Sequence, residues 1–391
     1  MLHSEIILPH TDHIQKRLEM IVFGEDWGAH PSSTQHIMKH LMHDHEIVWV
    51  NSLGLRRPHF NARDFSRAHK KLRNMLRKVD DGSVCEEADI NVPDIVHPRA
   101  ISWPGNPIAA AFNKYILGKQ LDDVINQHKF DMPIFWTSLP SAIDVIDNYP
   151  NHKVIYYCGD DFRALAGVDH KPVSKMEERL AERADLIITV SETLQNRFPA
   201  DKTILIEHGV DYELFSNEHP RADDLPNRPF IAGFYGSIHD WLDMDIIAEA
   251  AKSCPEWEFV FIGDTHIDID FLTSQKNIKF LGARPHHELP SYVQHWQVSL
   301  LPFKDCEQIR ACNPLKLREY LSAGRPVVTT DFPALRGYMD KVLVMKDAGD
   351  LIRILKTIGS ASTIPRKPDR AMQFECWNVK AKVVERHILS L

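Results

Sequence analysis

Lys316 and Glu319 stand three residues apart in the stretch Asn313-Pro314-Leu-Lys316-Leu-Arg-Glu319-Tyr-Leu-Ser-Ala-Gly324-Arg-Pro326-Val-Val-Thr-Thr330. Asn and Pro at one end and Gly and Pro at the other punctuate a short helix, and a β-branched run follows as a strand. The spacing predicts a helix with Asn313 as its N-cap and Pro314 at its first position, so that Lys316 lies in the first turn and Glu319 shares its face. A cation at the positive end of a helix dipole has the wrong sign for helix stability. It has the right sign for holding an anion, because free N–H groups, the dipole and the ammonium then act together. Taken in isolation, the same two residues also read as an ordinary surface pair.

Two further carboxylates, Asp160 and Asp161, close the apolar run Val154-Ile-Tyr-Tyr-Cys158. Ligands of open parallel sheets bind at strand carboxyl ends, which makes the pair a candidate for contact with a ligand; it reads equally as a cap for the next helix. In Phe234-Tyr235-Gly236-Ser237, Gly236 taken by itself reads as a plain turn. His36, His40 and His43 share one helix face, but a chain with 22 histidines produces such clusters by chance, and no metal site is expected. Asp243 and Asp245, like Asp268 and Asp270, read as caps and turns.

Positioning these residues requires alternating strands and helices. Strands are expected at 20–23, 47–50, 134–136, 154–157 and 186–190, then at 230–234, 258–262, 278–281, 298–301 and 327–330. Helices are expected at 34–43, 246–252, 289–295, 315–323 and 379–389. Such alternation implies parallel β-α-β units. Residues 216–228, rich in Pro, Asn, Asp and Glu, lack apolar periodicity. The expectation is an α/β protein of two Rossmann-like, doubly wound domains facing a central cleft: 1–212, a linker 213–228, 229–372, and a terminal piece 373–391.

Composition narrows the function classes. A chain of 391 residues exceeds one ordinary core. With 43% hydrophobic residues and a net charge of −8, it is neither a disordered chain nor an electrostatic glove for nucleic acid. Neither a secretory leader nor a spanning apolar run stands out, so cytoplasmic residence is expected. The 6 cysteines form no C-x-x-C pair, which fits reduced thiols. One segment breaks the acidic background: Arg56, Arg57, Arg63, Arg67, Lys70, Lys71, Arg73, Arg77 and Lys78, with Phe65, Leu72, Met75 and Leu76 at helical spacing. It reads as a solvated helix face or as a contact with anionic lipid.

The stretch Asn313 to Val328 resembles the donor-site motif of the group 1, or family-4-like, GT-B glycosyltransferases, which use nucleotide sugars. Further words follow in the family's order: Ala184 to Leu194, His208-Gly-Val-Asp211, Phe234 to Trp241, Phe261-Ile-Gly263, Phe280-Leu-Gly282-Ala-Arg284-Pro285 and Glu288 to Tyr292. Phe374 to Leu389 resembles the family's last helix, which crosses back to the N-terminal domain.

The resemblance implies that Glu319 accepts hydrogen bonds from the ribose diol and that Lys316 neutralises the diphosphate. Gly236 and Ser237 would lie against a phosphate, Arg284 near the base, and Arg310 and Asn313 in the nucleotide-sugar site. From the other domain, the loop holding Asp26, Trp27, Gly28 and His30 would face the cleft, with Asp160 at the acceptor hydroxyl and Asp161 structural. The chain departs from the family at Ala311, where most members carry a first Glu eight positions before the second; contacts to the donor sugar's hydroxyls are what this affects. The implied activity is transfer from a nucleotide diphosphate sugar to a glycan or lipid-linked acceptor, with retention and without a metal or cofactor. The rivals are a nucleotide-sugar epimerase of the same fold and a non-catalytic nucleotide-sugar-binding protein. Lipid-linked acceptors favour membrane contact through Arg63, Arg67, Lys70, Lys71, Arg73 and Arg77.

Overall fold

The computed structural model describes residues 17–29, 32–53, 92–165, 168–273, 275–361 and 364–391. The basic segment and His30 fall outside the described residues.

Seven parallel strands form the first sheet: β1 (Glu19–Phe23), β2 (Glu46–Val50), β3 (Asp94–Val96), β4 (Ile134–Thr137), β5 (Val154–Cys158), β6 (Leu186–Thr189) and β7 (Thr203–Leu205). Their order is β3-β2-β1-β4-β5-β6-β7, so the winding reverses between β1 and β4. There Phe23 pairs with Val50 on one side and Thr137 on the other. The second sheet holds β8 (Phe230–Tyr235), β9 (Trp257–Ile262), β10 (Ile278–Phe280), β11 (Val298–Leu301), β12 (Val327–Thr329) and β13 (Leu343–Val344). Its order, β10-β9-β8-β11-β12-β13, reverses between β8 and β11. Such reversals leave crevices at the strand carboxyl ends. The central strands are buried on both faces, which is why they read as unbroken apolar runs.

One segment, one helix and three edge strands differ from the sequence reading. Residues 213–228 are not a free linker: Phe215 and Leu225 insert into the second core, and the Gln294 amide donates to the carbonyls of Phe215 (2.8 Å) and Asn217 (2.6 Å). Their Pro and Asp content marks turns, and turns can still be anchored. The longest helix among the described residues, Pro107–His128, lacks a clear period because apolar side chains lie on two of its faces; Asn106 caps it through the N–H groups of Ile108 and Ala109. The edge strands β3, β7 and β13 are too short to show a pattern.

The chain crosses between domains twice, and the crossings touch. Val210 N–H donates to the Glu375 carbonyl (3.0 Å), and a Cβ on Gly209 would lie 2.6 Å from the Trp377 ring, so no side chain fits there. The last helix, Trp377–Leu389, turns Trp377, Ala381, Val384 and Ile388 into the first domain's core, at i, i+4, i+7 and i+11. Each large side chain so buried contributes about 1.5–3 kcal/mol.

Candidate donor and acceptor site

The helix Leu315–Ala323 begins on Pro314, which makes no side-chain cap, rather than on Asn313. Asn313 is occupied elsewhere: its amide donates to the Val190 carbonyl (2.8 Å) and to Glu207 (3.0 Å), and its oxygen accepts from Arg318 (2.5 Å). It ties the helix Leu315–Ala323 to the first domain and also stands on the wall of a cavity between the domains. Arg318, unremarked in the sequence, is fully buried and pairs with Glu207 (3.1 Å) and Glu375 (2.6 Å), one on each crossing. A lone Arg on the inner face of Leu317, Tyr320 and Leu321 was the signal available.

A cavity of about 330 Å³ opens at the carboxyl ends of β8 and β9, walled by Gly236, Ser237, Gly263, Arg284, Lys316 and Glu319. Gly236 has φ 128°, and a Cβ there would stand 2.1 Å from Cε of Lys316. The glycine therefore lets the lysine lie across the strand end. The Lys316 ammonium sits 5.9 Å above the Phe234 ring, with no ion-pair partner within salt-bridge distance among the described residues.

Glu319 is buried and held at both oxygens: Tyr235 donates to Oε2 (2.7 Å), and Nε2 of His286 lies 2.8 Å from Oε1. Burial alone would raise its carboxyl, but His286, the Tyr235 hydroxyl and Lys316 more than offset this and hold it below 4.5. Burial likewise opposes the His286 imidazolium, and Glu319 reverses the balance, lifting the imidazole above 6.5. Each carboxylate oxygen keeps a further lone-pair direction for a ligand hydroxyl. From the first domain His36 completes the wall, its ring lying flat on Trp377 (4.8 Å, 1°); burial and then His286 press it down to about 3, so it stays neutral. Neither His36 nor His286 was singled out for this site by sequence.

Arg284 lines the cavity, with its fork tied to Asp224 (2.5 Å) and to the Tyr292 hydroxyl (3.0 Å). Arg310 pairs with the exposed Asp305 at 2.6 and 2.8 Å and is absent from both cavity walls. Ala311 is buried against the first domain's core; its carbonyl accepts from the Ser191 hydroxyl (2.7 Å), and that of Arg310 from Thr193 (3.0 Å). Ala311 also stands on the wall of the cavity between the domains and presents no carboxylate to it.

A second cavity, of about 640 Å³, lies between the domains and meets the first at Ser237, Leu315 and Lys316. Asp160 projects into it, reached by water through the mouth yet enclosed by the walls. That enclosure, then Glu25 and Asp161, pushes its carboxyl up to about 6. Asp161, on the same wall, is pinned by Arg197 (2.5 Å) and caps the Arg163 N–H (3.0 Å). His208 lies within 2.8 Å of the Ser33 hydroxyl and 3.3 Å of the Tyr157 hydroxyl; burial and Arg318 hold it down to about 3. Gly28 (φ 76°) lies outside both walls. Among the described residues, no group of three or more His, Cys, Asp or Glu is placed to hold a metal ion, and no helix is long and apolar enough to cross a membrane.

Residues 229–358 match the family described as Glycosyl transferases group 1. The putative teichuronic acid biosynthesis glycosyltransferase TuaH of Bacillus subtilis (strain 168) is 32% identical over 220 residues, 51% of this chain; the chain thus spans about half (55%) of that relative. Three solved structures share the architecture. Sucrose-phosphate synthase from Thermosynechococcus elongatus superposes with a TM-score of 0.68 at 14% identity, covering 96% of this chain and 99% of the other. The UDP-forming α,α-trehalose-phosphate synthase of Burkholderia vietnamiensis gives 0.61 at 11%, over 97% and 100%. Anabaena HepE, in complex with UDP and glucose, gives 0.59 at 12%, over 95% of each. At these identities the likeness concerns fold. The chain therefore has the GT-B fold, and most of its second domain is similar in sequence to the group 1 glycosyl transferases.

Proposed function

We propose that the protein is a glycosyltransferase that moves a sugar from a nucleoside diphosphate sugar to a glycan or lipid-linked acceptor in polysaccharide or glycoconjugate synthesis. The observation that carries this is Lys316: unpaired among the described residues, seated on the Gly236 turn at a helix start, and shared by both cavities. In this reading the ammonium and helix N–H groups stabilise charge accumulating on the departing diphosphate as the bond from the anomeric carbon to phosphate oxygen breaks. Asp160 accepts a hydrogen bond from the acceptor hydroxyl and orients it toward that carbon, where the hydroxyl oxygen forms the new glycosidic bond and its proton passes to the departing diphosphate. Closure of the cleft excludes water, which otherwise competes as acceptor. Glu319 accepts from the ribose diol. Retention of configuration and the lack of a metal requirement come from the family resemblance, and contact of Arg63, Arg67, Lys70, Lys71, Arg73 and Arg77 with an anionic membrane from charge and spacing.

An acceptor-sized cavity beside the donor cavity favours transfer over epimerisation, which needs no second substrate. HepE's complex with UDP and glucose makes UDP-glucose the first donor to test. Acceptor-dependent release of UDP supports the reading. An epimerised donor, or binding without turnover for every donor and acceptor offered, overturns it.

A further inference from the structure

The helix Pro107–His128 packs Ala109, Leu117, Gly118 and Leu121 inward. Ile108, Phe112 and Tyr115, at i, i+4 and i+7 on the other side, are 80%, 44% and 70% exposed. Lys119 continues the stripe and Lys114 stands beside it, both exposed. On one flank the loop Ile101 to Trp103, tied to the helix by Ile101 N–H on Asn113 (2.7 Å), adds two more exposed apolar side chains. On the other, a groove of about 750 Å³ separates this helix from the helix His170–Arg183, with Lys171 and Lys175 on its wall. Of the acidic groups nearby, Asp144 pairs with Arg179 (2.9 Å), Glu178 with Arg163 (3.8 Å), and Asp122 accepts from the Tyr149 hydroxyl (2.8 Å); Asp123, one turn beyond Lys119, is exposed. No ion-pair partner stands within salt-bridge distance of Lys171 or Lys175 among the described residues.

We propose that this face docks on the headgroup layer of an anionic bilayer, with Ile108, Phe112, Tyr115 and Trp103 in the interfacial zone and Lys114, Lys119, Lys171 and Lys175 on lipid phosphates. Tyr and Trp suit that zone because one end is apolar and the other wet. Lysine stems cover apolar surface while the ammonium stays in water. Charge selects the occupant. A two-fold pairing of this face with a second copy brings the same lysines together. Residues 56–78 are themselves basic and do not complement it. An anionic leaflet complements both. The loop before the helix leaves the carboxyl end of β3, the sheet edge from which the Glu25 and Asp160 loops leave β1 and β5. A docked face therefore sets the cleft beside the bilayer; delivery of a lipid-linked acceptor rests on the transferase reading, whereas docking does not.

The test sediments the full chain with phosphatidylcholine vesicles and with mixed phosphatidylcholine–phosphatidylglycerol vesicles, reading no enzymatic activity. Wild type binds the mixed vesicles and releases as salt rises. Two variants, Ile108→Ser/Phe112→Ser/Tyr115→Ser and Lys171→Glu/Lys175→Glu, each lose at least about tenfold in partition, from lost apolar and lost charge contact respectively. Circular dichroism checks that both remain folded. Wild-type binding by either variant overturns the proposal, as does wild type that ignores anionic vesicles. A wild-type dimer that the apolar variant converts to monomer, with no vesicle binding, assigns the face to a second copy and also overturns it.

Discussion

The Tyr235 hydroxyl donates to Oε2 of Glu319 over 2.7 Å, from the last residue of β8 and one position before the Gly236 turn. The proposed ribose carboxylate is therefore fixed from inside the domain before any ligand arrives.

Glu319→Ala should cost two things at once. Removing the acceptor strands a buried hydroxyl, worth about 1–3 kcal/mol of stability, and donor affinity falls by about 1.5–3 kcal/mol with the lost charged hydrogen bonds. Glu319→Gln keeps an acceptor for Tyr235 and should recover most of the stability but little of the affinity. Denaturant unfolding and calorimetric titration with UDP separate the two; an alanine variant as stable as wild type would show that the Tyr235 bond contributes nothing.

Gly236→Ala should mimic the loss of Lys316. The new Cβ falls on the lysine's Cε and its backbone needs a positive φ, so the ammonium must move. UDP affinity should drop about tenfold in Gly236→Ala and in Lys316→Ala, the order of one charged contact, while uridine affinity stays near wild type in both. Lys316→Ala should also lower turnover more than it lowers affinity if the charge acts on the leaving group. Equal losses for uridine and UDP would move Lys316 away from the diphosphate.

Asp160 predicts a pH limb. Its ionised form accepts the acceptor's hydroxyl, so acceptor-dependent UDP release should fall as pH drops through about 6. Asp160→Asn should be slow throughout and lack the limb. The sign on stability is opposite: a carboxyl raised from 3.8 to about 6 penalises the folded state above the raised value and not below 3.8. Asp160→Asn should therefore be more stable than wild type at pH 8 and equal to it at pH 3.5. A wild-type profile flat from pH 5 to 8 counts against the assignment.

Arg318→Ala should destabilise by about 3–5 kcal/mol, because it leaves Glu207, Glu375 and the Asn313 oxygen without their shared cation. A loss under about 1 kcal/mol in urea unfolding would mean that the seam relaxes and water replaces the guanidinium.

What could be read in advance depended on how far each interaction reaches along the chain. β1, β5, β8 and β9 were legible because central parallel strands are apolar throughout, and Lys316 and Glu319 because helix punctuation is local. Asn313 misled for the complementary reason: the same residue type serves as an N-cap, and its actual partner, Val190, lies 123 residues away. His286 and His36 act only once three segments meet, and 22 histidines conceal any two. The helix Pro107–His128 hid because a second apolar face erases the period that announces the first.

The terminal helix has a consequence for synthesis. Strands β1 to β7 leave the ribosome about 170 residues before Trp377, Ala381, Val384 and Ile388, which cover part of their core. At ordinary elongation rates of about 5–20 residues per second, the nascent first domain waits roughly 10–30 s with that apolar surface bare. Such a surface suits holdase chaperones, and of the residues that wall the first cavity Trp377 is the last to be synthesised.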